Sequence, residues 1–173
     1  MKRFQILSGL PAYGELPEQF SSTGMGTHSE GMVVEFFPNE TSSSWIGNFQ
    51  RGLTSLDKVL AHPNGSSAIV IAGGECYIIE IENRKLKESF GGMYETVFCI
   101  FEKNIVILGT SIDFDALNAS GHLWQSQRIS WDGLRHLKQE ENILSGEAWS
   151  LGNTWIPFSL DIDSGKHTGG AKI

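Results

Sequence analysis

Long apolar runs are missing from this chain. The longest, Ala68–Ala72 and Val97–Phe101, have five residues each, against the ~20 that a membrane-spanning helix needs, so no membrane association is expected. Basic residues are also scarce: 13 Lys and Arg face 20 Asp and Glu, a net charge of −7. That balance argues against a binder of nucleic-acid backbone. There are only two cysteines, Cys76 and Cys99. Both lie inside strand-like apolar runs, where buried free thiols of a reducing compartment are expected rather than a bridge. Behind Met1-Lys2-Arg3 the apolar stretch is broken by Gln5 and Ser8 and stops at Pro11. No secretory signal is read there, and a cytoplasmic location is expected.

The recognised catalytic and nucleotide motifs are absent too. Gly165-Lys166 is followed by His167 and has Leu160 where a phosphate loop needs its first glycine. Gly24-Met25-Gly26 is followed by Ser29 where the dinucleotide fingerprint needs its third glycine. The chain has no Gly-x-Ser-x-Gly elbow, no His-Glu-x-x-His and no Cys-x-x-Cys. Neither a cofactor nor a bound metal is expected.

What is present is the composition of a globular domain, with 40% apolar and 19% charged residues over 173 positions. Length predicts one β-rich domain over 1–173. Glycine is abundant, 20 residues or about 12% against the usual ~7%, which implies many tight turns between short elements. Apolar or β-branched runs fall at 32–37, 45–49, 68–72, 76–81, 97–101, 105–108, 123–129, 143–149 and 155–162. Between them sit turn signals such as Asn64-Gly65, Gly73-Gly74, Ser120-Gly121, Asp132-Gly133 and Ser164-Gly165. The pattern predicts a mainly β fold of antiparallel short strands and hairpins, as a small propeller-like repeat or a β-sandwich, with α+β as the alternative. One short helix is expected where Thr54 could cap the segment, Asp57 sits at its third position, and Leu53, Leu56, Val59 and Leu60 follow a 3.6 period until Pro63. Residues 8–31 read as irregular loop and 164–173 as a mobile tail.

An aromatic residue followed six and seven positions later by a small or turn-forming pair recurs. The copies are Phe37 with Ser43-Ser44, Tyr77 with Asn83-Arg84, Phe114 with Ser120-Gly121, and Phe158 with Ser164-Gly165. Their spacing near 40 residues is that of propeller blades, and successive hairpins of a sandwich would produce it as well. Residues 116–124 (ALNASGHLW) and 160–166 (LDIDSGK) resemble the strand-turn-strand signature of quinoprotein-type (PQQ-like) propeller repeats. The likeness covers 16 residues, has Asn118 where the pattern has Asp, and has no Trp after its second turn. It implies strand-turn geometry and carries over neither the quinone cofactor nor a catalytic residue. Stretches 45–52 and 128–133 resemble segments of small bacterial proteins, without an activity attached.

Two polar constellations carry possible chemistry. In Thr27-His28-Ser29-Glu30-Gly31, His28 and Glu30 stand two apart, so on an extended segment they share one face and could share a proton or ligate a metal. Around Trp131, the residues Arg128, Asp132, Arg135 and His136 could bind a carboxylate or phosphate through an arginine fork, or could brace an Asp-Gly turn. Four tryptophans, Trp124, Trp131, Trp149 and Trp155, fall within 32 residues. Strand alternation places Ile156, Phe158 and Leu160 on the core side and Trp155 outward. The function expected is a protein-binding module, of immunity or adaptor type, that masks a basic partner and uses Arg128, Trp131, Asp132, Arg135 and Trp155. The alternatives are a small hydrolase or metal-dependent enzyme using His28 and Glu30, or a sugar binder using exposed tryptophan. Exposed sheet edges would also allow homo-oligomers.

Overall fold

Alternation along single strands sets what is buried. In residues 154–161 Phe158 and Leu160 are buried while Pro157 and Ser159 face solvent, the period-two pattern of a strand with one covered face. Where both faces are covered, alternation disappears: every residue of 67–72 (SAIVIA) is buried. The computed structural model, which describes residues 3–24, 28–39 and 43–172, is built of such strands. Contacts divide the chain into two compact units, Met1–Tyr94 and Glu95–Ile173, where the length prior favours one domain.

The first unit holds β1 (Phe4–Leu7), β2 (Glu18–Phe20), β3 (Met32–Phe36) and β4 (Trp45–Phe49) in the order β1-β3-β4-β2. Its second sheet is a meander of β5 (Lys58–Ala61), β6 (Ser67–Ala72), β7 (Glu75–Glu80) and β8 (Lys85–Gly91). All pairings are antiparallel except that of β2 with β4. One core joins the two sheets, with Trp45 stacked on Phe36 at 4.4 Å and Phe49 tilted on Tyr77 at 5.3 Å. The Tyr77 hydroxyl donates to the Gln50 carbonyl (2.7 Å), and burial pushes its pKa up to about 12.

The second unit consists of two antiparallel meanders. One is β9 (Thr96–Ile100), β10 (Ile105–Gly109), β11 (Phe114–Asn118) and β12 (Gly121–Gln125). The other is β13 (Leu134–Glu140), β14 (Ile143–Ser150), β15 (Thr154–Asp161) and β16 (His167–Gly169). They share a core that includes Ile107, Phe114, Leu144, Phe158 and Leu160.

Each unit ties an indole to a hairpin in the same way. Trp45 Nε1 donates to the Ile81 carbonyl (3.0 Å), and Trp124 Nε1 to the Ile162 carbonyl (2.9 Å). Three residues after each acceptor the backbone turns left-handed, at Arg84 (φ 55°) and Gly165 (φ 68°). Arg84 lies 6.0 Å from the Trp45 ring, whereas a Cβ on Gly165 would meet the Trp124 ring at 2.5 Å, so only glycine fits there. The two segments that carry the propeller-repeat resemblance are therefore packed on each other through Trp124 and Gly165.

The expected helix over 53–60 does not form. Lys58–Ala61 is β5, paired residue for residue with β6 from Lys58↔Ile71 to Ala61↔Ala68. Thr54 Oγ donates to the Tyr94 carbonyl (2.6 Å), and Asp57 accepts from the Gly73 N–H (2.9 Å) and pairs with Arg51. A two-turn helix is marginal alone, and these tertiary bonds outweigh it. Among the described residues the helical structure is a single 3-10 turn, Phe101–Lys103, which removes the α+β alternative, and no helix is long and apolar enough to cross a membrane. Residues 8–31, expected as loop, contain β2; the expected mobile tail contains β16, paired with β15.

Buried His62 is expected to give the first unit a pH response. It is 4% exposed, and its Nδ1 accepts the Asn64 N–H (3.1 Å). Burial, helped by nearby Lys87, holds its pKa below 6.5. The unfolded chain then takes up the proton first, so stability is expected to fall as pH drops below about 6.5. Urea midpoints between neutrality and mildly acid pH should show this slope, and His62→Leu should flatten it. An equal slope in both proteins would place the titrating group elsewhere.

Candidate functional site

Sheet register assembles the site on the uncovered face of the β13–β16 sheet. Trp149 on β14 stands opposite Trp155 on β15, Glu147 opposite Pro157, and Arg135 on β13 opposite Glu147. Residues directly across or two apart along a strand share a face, so Arg135, Glu147, Trp149, Pro157 and Trp155 lie together. The opposite face carries Leu144, Ala148, Phe158 and Leu160, all in the core.

A bulge adds His136 to this set. Between the pairs Arg135↔Glu147 and Lys138↔Ser145, two residues of β13, His136 and Leu137, oppose the single residue Gly146. His136 absorbs the insertion at φ 53°, a left-handed conformation that costs a side-chain-bearing residue about 1–2 kcal/mol. In a regular strand Arg135 and His136 would face opposite sides. Here both reach one carboxylate oxygen: Arg135 Nε donates to Glu147 Oε2 at 2.7 Å, and His136 Nδ1 lies 3.0 Å from the same atom. The hydrogen bond from Arg135, followed by that from His136, holds Glu147 below the usual carboxylate range. The Arg135 guanidinium rests over the Trp155 ring at 4.1 Å from its centroid, a cation–π contact.

Arg128 and Trp131 form a second such pair, 4.9 Å apart. The Arg128 fork is used inside the chain, with Nε donating to the Ser130 carbonyl (2.9 Å) and Nη2 to the Trp131 carbonyl (2.7 Å). Trp131 Nε1 donates to the Lys172 carbonyl at 3.2 Å, and its backbone N–H to that of Trp149 at 3.0 Å. Asp132 is exposed beside them.

The other sequence candidates lie in the first unit. His28 has Nδ1 2.7 Å from the Ser29 carbonyl and Nε2 3.0 Å from the Phe20 carbonyl, while the Glu30 carboxylate accepts the Leu10 N–H at 3.0 Å. Each is thus engaged with backbone rather than with the other; Thr27 of the same motif lies outside the described residues. Nearby, an open cleft of about 530 Å³ is lined by Pro17, Glu18, Gln19, Phe20, Ser21, Gly24 and Leu86. Among the described residues no group of three or more His, Cys, Asp or Glu could hold a metal ion.

No family model and no curated protein matches the chain. A solved structure titled "Crystal structure of the eukaryotic initiation factor" is similar over 80% of this chain and 39% of its own, with a TM-score of 0.43 and 9% identity. This chain thus spans 39% of that one, and the likeness is too low to bear on fold or function.

Sequence reasoning found Arg135 and Trp155 separately and missed the Glu147 that joins Arg135 to His136. A signal existed: Ser145, Glu147 and Trp149 alternate with Leu144, Gly146 and Ala148, which places Glu147 on the Trp149 face.

Proposed function

We propose that the chain is a protein-binding module that docks a basic protein on the uncovered face of the β13–β16 sheet. The observation that carries this reading is the cation-capped indole of Trp155, fixed by Arg135 and Glu147 beside a second tryptophan on the same sheet face. Trp and Arg are the residue types that dominate interface hot spots, and here their rotamers are held before any partner arrives. Charge supports the sign of the partner. Residues 95–173 carry ten acids against six Lys and Arg, and the β13 cations are already matched, Arg135 by Glu147 and Lys138 by Glu140. The remaining field attracts a basic surface. With only two cysteines, Cys76 and Cys99, the composition fits a cytoplasmic setting.

Affinity capture from extract of the producing cells tests this. A basic protein should be retained in stoichiometric amount at low salt and released at high salt. Trp155→Ala should weaken retention about 30-fold, the size of a ~2 kcal/mol hot spot. Phe101→Ala, which removes a side chain 85% exposed on the 3-10 turn, should not. Equal retention by folded Trp155→Ala, or no retained basic protein, would sink the proposal.

A further inference from the structure

We propose that Arg135 is the receptor for a carboxylate side chain of the docked protein. This deepens the reading of the β13–β16 face and rests on it. A guanidinium offers five N–H donors in a planar fork. One of them, on Nε, is taken by Glu147 at 2.7 Å, and one face of the guanidinium plane rests on the Trp155 ring, 4.1 Å from its centroid. Among the described residues neither Nη atom has a hydrogen-bond partner, and the side chain is 43% exposed. The other arginine of this region differs: Arg128 spends its Nε and Nη2 on the carbonyls of Ser130 and Trp131. Arg135 is thus oriented at its root and open at its tip.

The backbone adds a second, independent observation. The bulge and the left-handed His136 bring Arg135 and His136 onto one carboxylate. Strained, non-glycine backbone of this kind persists where surrounding structure over-determines it, and it gathers at binding sites. What it achieves here is two-point fixation of Glu147, which fixes the Arg135 fork.

The chemistry selects the ligand. Two parallel N–H groups match the two oxygens of a carboxylate. Glu147 already balances one positive charge, and the chain is at −7, so a dianionic phosphate is disfavoured. A carboxylate that arrives on a basic protein brings an attractive field with it, so long-range steering and the local contact cooperate, the first setting the encounter and the second the register.

The test needs no partner. Acetate is titrated into the purified chain up to about 100 mM, at ionic strength held constant with chloride, while the side-chain nitrogen resonances of Arg135 and the fluorescence of Trp155 are followed. A saturable change is expected in the wild type. Arg135→Lys, which keeps the charge and loses the fork, should bind acetate at least about ten-fold more weakly at an unchanged melting temperature. An equal response in Arg135→Lys, a stronger response to inorganic phosphate, or no saturable change would each overturn the assignment. If acetate fails while capture of a basic protein still depends on Trp155, the docking face stands and the carboxylate receptor falls.

Discussion

Trp45→Ala is expected to destabilise the first unit by about 4–6 kcal/mol, a large part of the 5–15 kcal/mol that holds a typical domain folded. Trp45 is 2% exposed, stacks on Phe36 at 4.4 Å and tilts over Phe20 at 6.2 Å. Truncation removes those contacts and leaves a cavity where both sheets of the unit meet, worth about 3–5 kcal/mol for an aromatic residue. It also strands the Ile81 carbonyl, which accepts the indole N–H at 3.0 Å, and a buried acceptor left unpaired adds about 1 kcal/mol or more. Trp45→Phe shrinks the cavity term, because it keeps a six-membered ring while losing the donor and the rest of the indole; about 2–3 kcal/mol is expected. The matching residue of the second unit, Trp124, is only half-buried, so Trp124→Ala should cost less than Trp45→Ala. Urea midpoints followed by near-ultraviolet circular dichroism would rank the three. A Trp45→Ala protein within about 1 kcal/mol of wild type would mean that Trp45 does not join the two sheets.

Inner strands were legible in the sequence because burial writes itself into them. The runs 45–49, 68–72, 105–108 and 155–162 lie on β4, β6, β10 and β15 to within a residue or two. Outer strands were legible only where they carry an apolar run, as β9 does at 97–101. β8 (KLKESFG) and β13 (LRHLKQE) are largely exposed, so no apolar period marks them, and their extended form comes from pairing with β7 and β14. The segment 53–60 misled because a short apolar run reads equally well at either period, and the edge of β6 decided it. At the site, the outward side of β15 was readable from Ile156, Phe158 and Leu160. The bulge was not, since a histidine at positive φ has no residue signature of the kind that glycine supplies at Gly165.

Gly146 should be the residue on which the site's geometry turns. It sits on the core side of β14, opposite the two residues of the bulge. A Cβ there would meet Leu137 Cδ2 at 2.8 Å, the Arg135 carbonyl oxygen at 2.9 Å and Phe158 Cε1 at 3.1 Å. Leu137 can rotate away; the Arg135 carbonyl can move only with its strand. Gly146→Ala is therefore expected to cost about 2–3 kcal/mol, the upper part of the usual range for overpacking, and to shift the bulge. The shift would separate Arg135 and His136 from Glu147, so Trp155 fluorescence should change and the acetate response should weaken as in Arg135→Lys. Gly152→Ala supplies the contrast within the same hairpin. Its φ is +85°, so substitution is strained by about 1–2 kcal/mol, yet nothing lies within 4 Å of its Cβ, and the Arg135–Glu147 bond should survive. If Gly146→Ala kept both wild-type stability and wild-type fluorescence, the space beside Gly146 would not be what admits the bulge. The coupling of core packing to the arginine fork would then have to be abandoned, while a fluorescence change at unchanged stability would keep the coupling and assign its cost to the bulge itself.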